Sequence, residues 1–160
     1  MTGARDILKL GDPRLYQVCE DVAFEELEEV AGWVQILHDA MSDIRRQYGF
    51  GRGIAAPQLG IMKRLIYIDI DRPITMINPA IEHPSEAMFE LWDDCMSFPN
   101  LLVKVKRHKS LTVRYIDEYW KEQSINAEDA FSELVQHEID HLNGILCTMR
   151  AIDNKSFKYR

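Results

Sequence analysis

The sequence is short of cysteine, of long apolar runs and of basic charge, and each shortage removes a class of protein. Its three cysteines, Cys19, Cys95 and Cys147, are odd in number and nowhere spaced C-x-x-C. A disulfide framework is therefore not expected, and a reducing compartment, the cytoplasm, is. No stretch approaches the roughly 18 apolar residues of a membrane span, and no secretory apolar core is visible from Met1 to Asp12. Lysine and arginine number 19 against 26 aspartates and glutamates, for a formal net charge of −7. No broad basic field is available to neutralise phosphates or an anionic membrane, so neither a membrane nor a nucleic-acid substrate is expected. Pro/Gly/Ser tracts, low-complexity runs and internal repeats are also missing, so nothing marks a linker. The 160 residues are read as one catalytic domain, 1–160, of a size that buries roughly 70% of its unfolded surface.

The one basic cluster, Lys104, Lys106, Arg107 and Lys109, alternates with Val103, Val105 and His108. It reads as a solvated strand face, with contact to the ribosome or RNA as the alternative. Upstream, Phe24, Leu27, Val30, Ala31, Val34, Leu37, His38 and Met41 recur at three- and four-residue spacings, which predicts an amphipathic helix over 24–48 ended by Gly49. From Leu65 to about Tyr119, short Ile/Val/Leu/Tyr runs are separated by Asp71-Arg72-Pro73, Asn78-Pro79, His83-Pro84 and Pro99-Asn100, which predicts strands broken by turns. A second helix is expected after an Asn126 cap, with Ala127 and Glu128 in its first turn, and Gly144 is placed to stop it. Ile145 to Ile152 is expected to return as a strand. Without regular strand-helix alternation, the pattern is α+β: one long N-terminal helix, and antiparallel sheets packed around a late helix.

That late helix carries His137-Glu138-Ile139-Asp140-His141, an H-E-x-x-H motif. Residues four apart on a helix share one face at about 5–6 Å, so both imidazoles can reach one ion at about 2.0–2.1 Å. Glu138 is turned about 100° from His137, beside the ion without being forced to ligate it, which is where a base for activated water belongs. His-x-x-x-His by itself also describes a pair of ordinary histidines. The intervening Glu, a helix with both cap and stop, and an available thiolate elsewhere favour the metal. A hydrolytic site needs a third protein ligand and an open position. Cys95 lies in the polar break Asp93-Asp94-Cys95-Met96-Ser97-Phe98-Pro99, whereas Cys19 and Cys147 sit beside apolar residues and read as packed thiols. Chemistry alone favours Cys95 over another Cys or an acidic ligand. Gly51-Arg52-Gly53-Ile54-Ala55-Ala56-Pro57-Gln58 allows a close backbone approach to a ligand, although taken alone it reads as a bare turn.

Together, in order and spacing, these three segments resemble the peptide deformylase family, whose pattern is G-x-G-x-A-A-P-Q, E-G-C-L-S and Q-H-E-x-D-H. Ile7-Leu8, Gly11 to Leu15 and Ile77-Asn78-Pro79 extend the resemblance over nearly the whole chain. It implies removal of the formyl group from formyl-methionyl nascent polypeptides, with release of formate. It also implies one divalent metal ion, usually ferrous iron in the native family and commonly zinc in isolated enzymes. Carried over by position, Cys95, His137 and His141 are the metal ligands and Glu138 the acid/base; Gln58 and the Met96 backbone N–H form the oxyanion site. The second motif departs from the family as D-D-C-M-S: Asp93 stands for Glu, Asp94 for Gly and Met96 for Leu. Arg52 stands where an apolar residue is usual, and Glu133 where Arg or an apolar residue is common. These changes motivate a different N-formyl or N-acyl substrate as the alternative. A zinc protease and a non-catalytic, metal-stabilised binding protein are the weaker readings, since a structural metal needs neither base nor oxyanion donor. One pairing is expected from charge: Asp93 with Arg107, steadying the Cys95 loop.

Overall fold

The computed structural model describes residues 1–160. Helix α1 spans Leu27–Tyr48, entered through a 3₁₀ turn at Phe24–Glu26 and ended by Gly49 at φ 74°. Its Val30, Leu37 and Met41 are buried, as the spacing predicts, and with Ala40 and Ile44 they pack on Ile54, Leu65, Tyr67 and Ile77 in one core, whereas Phe24 and Ala31 of the expected apolar face are exposed. Eight strands follow: β1 (Gly53–Ala55), β2 (Leu65–Asp69), β3 (Pro73–Glu82), β4 (Met88–Asp93), β5 (Leu101–His108), β6 (Ser110–Ile116), β7 (Glu122–Glu128) and β8 (Phe157–Tyr159). They form two antiparallel sheets, β1-β2-β3-β6-β7 and β4-β5-β8.

Helix α2 (Asp129–Leu142) touches β1, β6 and β7 of the first sheet and β5 of the second, and every residue from Ser132 to Leu142 is buried. Leu134, Val135, Ile139 and Leu142 supply its apolar side, packed on Ile66, Ile68, Met76 and Val113. Seven of its buried residues are polar, which is tolerable only if they find partners. Gln136 clips α2 to the end of β5 as a strand would: its Oε1 accepts from the His108 N–H at 3.1 Å, and its Nε2 donates to the His108 carbonyl at 2.9 Å. The fold is thus the expected α+β arrangement of one long early helix and antiparallel sheets around a late helix.

Four local expectations are corrected. Asn126 does not cap α2; residues 126–128 continue β7, paired with Thr112, Leu111 and Ser110. A ladder to a neighbouring strand outweighs one side-chain cap, and the chain instead enters α2 abruptly through Asp129 at φ 49°. Ile145–Ile152 is not a strand but a turn and a 3₁₀ segment, Cys147–Arg150, tied to β5 by an isolated Ala151–Val105 bridge and the Ile152 N–H donating to the Lys104 carbonyl at 3.1 Å. Asn78-Pro79 does not separate two strands; it is a bulge inside β3, with Asn78 at φ 50° and the register shifting between Ile77 and Ala80. The basic cluster is a solvated face only in part. Lys106 and Lys109 are exposed, whereas Arg107 shares the buried face of β5 with Val103 and Val105. Gly144, at φ 72°, does follow the end of α2, and an added Cβ would lie 2.5 Å from the Tyr16 carbonyl oxygen.

Candidate metal centre

Three elements meet where α2 passes between the sheets. His137 and His141 lie one turn apart on α2, Cys95 sits just past the end of β4, and Gln58 belongs to the 3₁₀ turn Ala56–Leu59 that leaves β1. Cys95 Sγ and the two imidazoles come together so that one ligand atom from each lies within 4.8 Å of the others. Cys95 Sγ is 3.5 Å from His141 Nε2, and the two Nε2 atoms are 3.2 Å apart. Tetrahedral bonds of about 2.0–2.1 Å to nitrogen and about 2.3 Å to sulfur place such atoms about 3.3 and 3.5 Å from one another. The three atoms therefore stand where a shared cation requires them.

Electrostatics supports the same arrangement. His137 Nδ1 and Asp93 Oδ2 are 2.9 Å apart, so with Nδ1 carrying the proton the Nε2 lone pair is free for a metal. Burial alone would lower the His137 pKa, but the charge and hydrogen bond of Asp93 outweigh it and hold the pKa well above the usual value. Burial, and next the charge of His137, push His141 well below the usual value. The facing Nε2 atoms can share only one proton, whereas one cation satisfies both rings and the thiolate. Asp93, His137 and Cys147 also cluster, but burial drives the Cys147 thiol pKa far up. Asp93 is committed to His137 and Arg107.

Glu138 is 2% exposed, with Oε1 3.9 Å from His137 Nε2 and Oε2 without a protein partner. Burial pushes its carboxyl up to about 7, close to the value a base needs at neutral pH. Gly53 makes room for it: a Cβ there would lie 3.2 Å from Glu138 Oε2. Gln58 is buried and oriented, its Oε1 accepting from the Ala55 N–H at 3.0 Å. Its Nε2 is thereby turned towards Cys95 Sγ at 3.6 Å and Ser97 Oγ at 3.2 Å. The Met96 N–H enters no backbone hydrogen bond of the loops and turns.

Behind the ligands runs a buried ionic chain. Arg107 donates to Asp93 at 3.0 Å and to Asp140 at 2.6 Å, and Arg150 holds both oxygens of Asp140, at 2.5 and 2.8 Å. Burial opposes ionisation of Asp93, but His137 and then Arg107 prevail and hold its pKa at about 2.

The sequence model of the polypeptide deformylase family matches residues 4–157. The chain belongs to the polypeptide deformylase family. Peptide deformylase 2 of Ralstonia nicotianae is 35% identical over 166 residues, covering 97% of this chain and 91% of that protein. Among solved structures, a peptide deformylase from Synechococcus elongatus in complex with actinonin aligns with a TM-score of 0.86 at 32% identity, covering 94% of this chain and 80% of that one. A Met-Ala-Ser-bound class I type b peptide deformylase from Acinetobacter baumannii aligns with a TM-score of 0.78 at 30% identity, over 90% of this chain and 96% of that one. As a deformylase the chain is a metal-dependent hydrolase that removes N-formyl groups from nascent peptides, and Cys95, His137 and His141 are its metal-binding site.

The deformylase centre also contains residues that the sequence reading gave no role. Ser97 accepts from Gln58, while Asp140 and Arg150 anchor Arg107. Arg107 was legible for its pairing with Asp93, and its place on the same strand parity as Val103 and Val105 is the signal that it is buried. No signal in the sequence joins Arg160 to Asp94, yet their side chains meet at 2.6 Å at the edge of the cleft.

Proposed function

We propose that residues 1–160 act as one catalytic domain that hydrolyses the formyl amide of formyl-methionyl polypeptides. The observation that carries this is the convergence of Cys95 Sγ and the His137 and His141 Nε2 atoms beside a buried, unpartnered Glu138 oxygen. A divalent cation held by those three residues would supply Lewis acidity, lowering the pKa of a coordinated water towards about 7. Glu138 takes a proton from the attacking water as its oxygen bonds to the formyl carbon, and returns it to the departing amine as the C–N bond breaks. Gln58 Nε2 and the Met96 N–H donate to the oxyanion that develops between those steps; each such donor is worth roughly 2.7–4 kcal/mol where one has been removed. The products are formate and a free amino terminus.

A thiolate with two imidazoles suits ferrous iron and zinc alike; family resemblance favours iron as the native ion, with zinc retained on isolation. Three free cysteines, Cys19, Cys95 and Cys147, fit a reducing cytoplasm. No helix is long and apolar enough to cross a membrane. Lys106 and Lys109, with half-buried Lys104, offer a small basic face for a ribosomal contact.

Formate release from formyl-Met-Ala-Ser by anaerobically iron-loaded protein tests the reading. Glu138→Ala is expected to lower kcat/KM by about a hundredfold or more through loss of the base. Absence of formate from a folded, metal-replete wild type would refute it. One observation favours altered substrate choice within the same chemistry: charged side chains line the cleft beside the ligands.

A further inference from the structure

Beside Cys95 and Glu138 the cleft wall is an ion pair. Arg52 directly precedes β1, Glu133 lies on α2 one turn before His137, both line the cleft, and Arg52 Nη2 meets Glu133 Oε1 at 2.5 Å. Glu133 is 4% exposed, and its other oxygen, Oε2, is buried without a protein partner. Such an orphan acceptor is unfavourable unless something donates to it. Arg52 keeps 39% of its side chain exposed, and its other hydrogen bond is a long one, from Nη1 to the Ala130 carbonyl at 3.4 Å. A guanidinium carries five N–H donors, so several remain unused on a side chain that borders the cleft. Because residues four apart on a helix share a face at about 5–6 Å, the pair stands next to His137, on the wall of the cleft that also carries Cys95 and Glu138. Phe50 and Leu134 supply an apolar part of the same wall.

We propose that the Arg52–Glu133 pair determines side-chain specificity, letting this deformylase take a neutral hydrogen-bonding side chain of methionine's length, such as glutamine, nearly as well as methionine. The inference rests on the deformylase reading for the meaning of the cleft. A primary amide accepts from Arg52 and donates to the orphan Glu133 oxygen, whereas a thioether donates nothing and accepts weakly. A carboxylate is refused, since it has no hydrogen to give the orphan Glu133 oxygen and would set a second acceptor against it. An apolar wall would instead penalise the amide, because it would enter without partners.

The test uses the full chain loaded with zinc. Calorimetry gives dissociation constants for Met-Ala-Ser and Gln-Ala-Ser, and formate release gives kcat/KM for their formylated forms. In the wild type, a Met-over-Gln preference below about tenfold in binding supports the proposal, and about tenfold or more overturns it. The double variant Arg52→Ile, Glu133→Ile leaves no unpaired charge, and is expected to raise that preference at least about tenfold, through KM rather than kcat. A smaller rise in a folded, zinc-replete double variant overturns the proposal; should that variant not fold, the wild-type ratio decides. Absence of formate from both formyl peptides, with iron-loaded as with zinc-loaded protein, would defeat the deformylase reading, while the binding ratio still judges the pair.

Discussion

Two sets of charged side chains surround the same cysteine loop, and they differ in what they hold. Inside, Asp93, Arg107, Asp140 and Arg150 form a chain whose middle members are 2–10% exposed and whose last contact with the ligands is Asp93 on His137. Outside, Arg52–Glu133 and Arg160–Asp94 are ion pairs in which each arginine keeps 33–39% of its side chain exposed, and neither touches a ligand. The inner chain balances two carboxylates against two guanidinium groups; Asp93, Arg107 and Asp140 are out of water and only Arg150, 44% exposed, reaches it, so the attraction at Arg107 is little screened. The outer pairs border the opening through which substrate arrives. The same chemical pairing thus fixes the metal ligands in one place and shapes selectivity in the other.

The sharpest way to break this contrast is to remove the inner keystone. Arg107→Ala leaves buried Asp93 with His137 alone and takes from Asp140 one of its two arginines, and loss of one partner from a buried pair costs about 3–5 kcal/mol. Urea unfolding of the metal-loaded protein checks it. A loss near that of a surface pair, below about 1 kcal/mol, would mean that the inner and outer sets do not differ in kind.

A gentler change separates support of the metal from support of the fold. Asp93→Asn keeps the volume and a hydrogen-bonding oxygen but removes the charge that orients His137. Partners behind a metal ligand are worth about 10–100-fold in affinity, so zinc affinity measured by competition with a chromogenic chelator is expected to fall by about that much. Unchanged affinity would show that the rings are positioned by helix packing alone. The matching substitution outside, Asp94→Asn, is expected to leave zinc affinity within about twofold, since Asp94 touches Arg160 and no ligand.

How far the sequence revealed these two sets follows from physical range. Cys95, His137 and His141 were legible because a helix repeat fixes two ligands and the polar break around the third singles out one thiol; Asp93 with Arg107 followed from charge. β1 was not legible, because Gly51-Arg52-Gly53 has a loop's composition and becomes a strand edge only by pairing Gly53 with Ile68. The start of α2 failed for the same reason, local capping chemistry losing to the β6–β7 ladder. Arg52 and Glu133 each stood out singly as unusual residues, but 81 positions separate them and nothing local announces that they meet. Contacts within one element could be read, as could those between residues whose chemistry singles out a partner, such as Cys95 with the histidines and Asp93 with Arg107; the remaining contacts made by folding one element onto another could not.

The smallest expected effect lies at the far edge of the outer set. Arg160 is drawn onto the cleft edge by three contacts: its Nη2 pairs with Asp94 at 2.6 Å, its Nε donates to the Pro99 carbonyl at 3.1 Å, and its guanidinium lies 4.1 Å from the Phe50 ring centroid. Where the family has glycine, Asp94 would otherwise place an unopposed charge beside the metal ligand, and Arg160 offsets it. With both side chains one third exposed, the pair is worth no more than about 1 kcal/mol, so Arg160→Ala is expected to shift the urea midpoint only slightly. Removing that cation should nevertheless leave a more negative cleft edge, and KM for formyl-Met peptides with an acidic second residue should rise by about two- to fivefold relative to neutral ones, more at low salt. A large loss of stability with no change in that charge preference would move Arg160 from the outer set to the inner one, since it would then be holding the cysteine loop rather than tuning what reaches it.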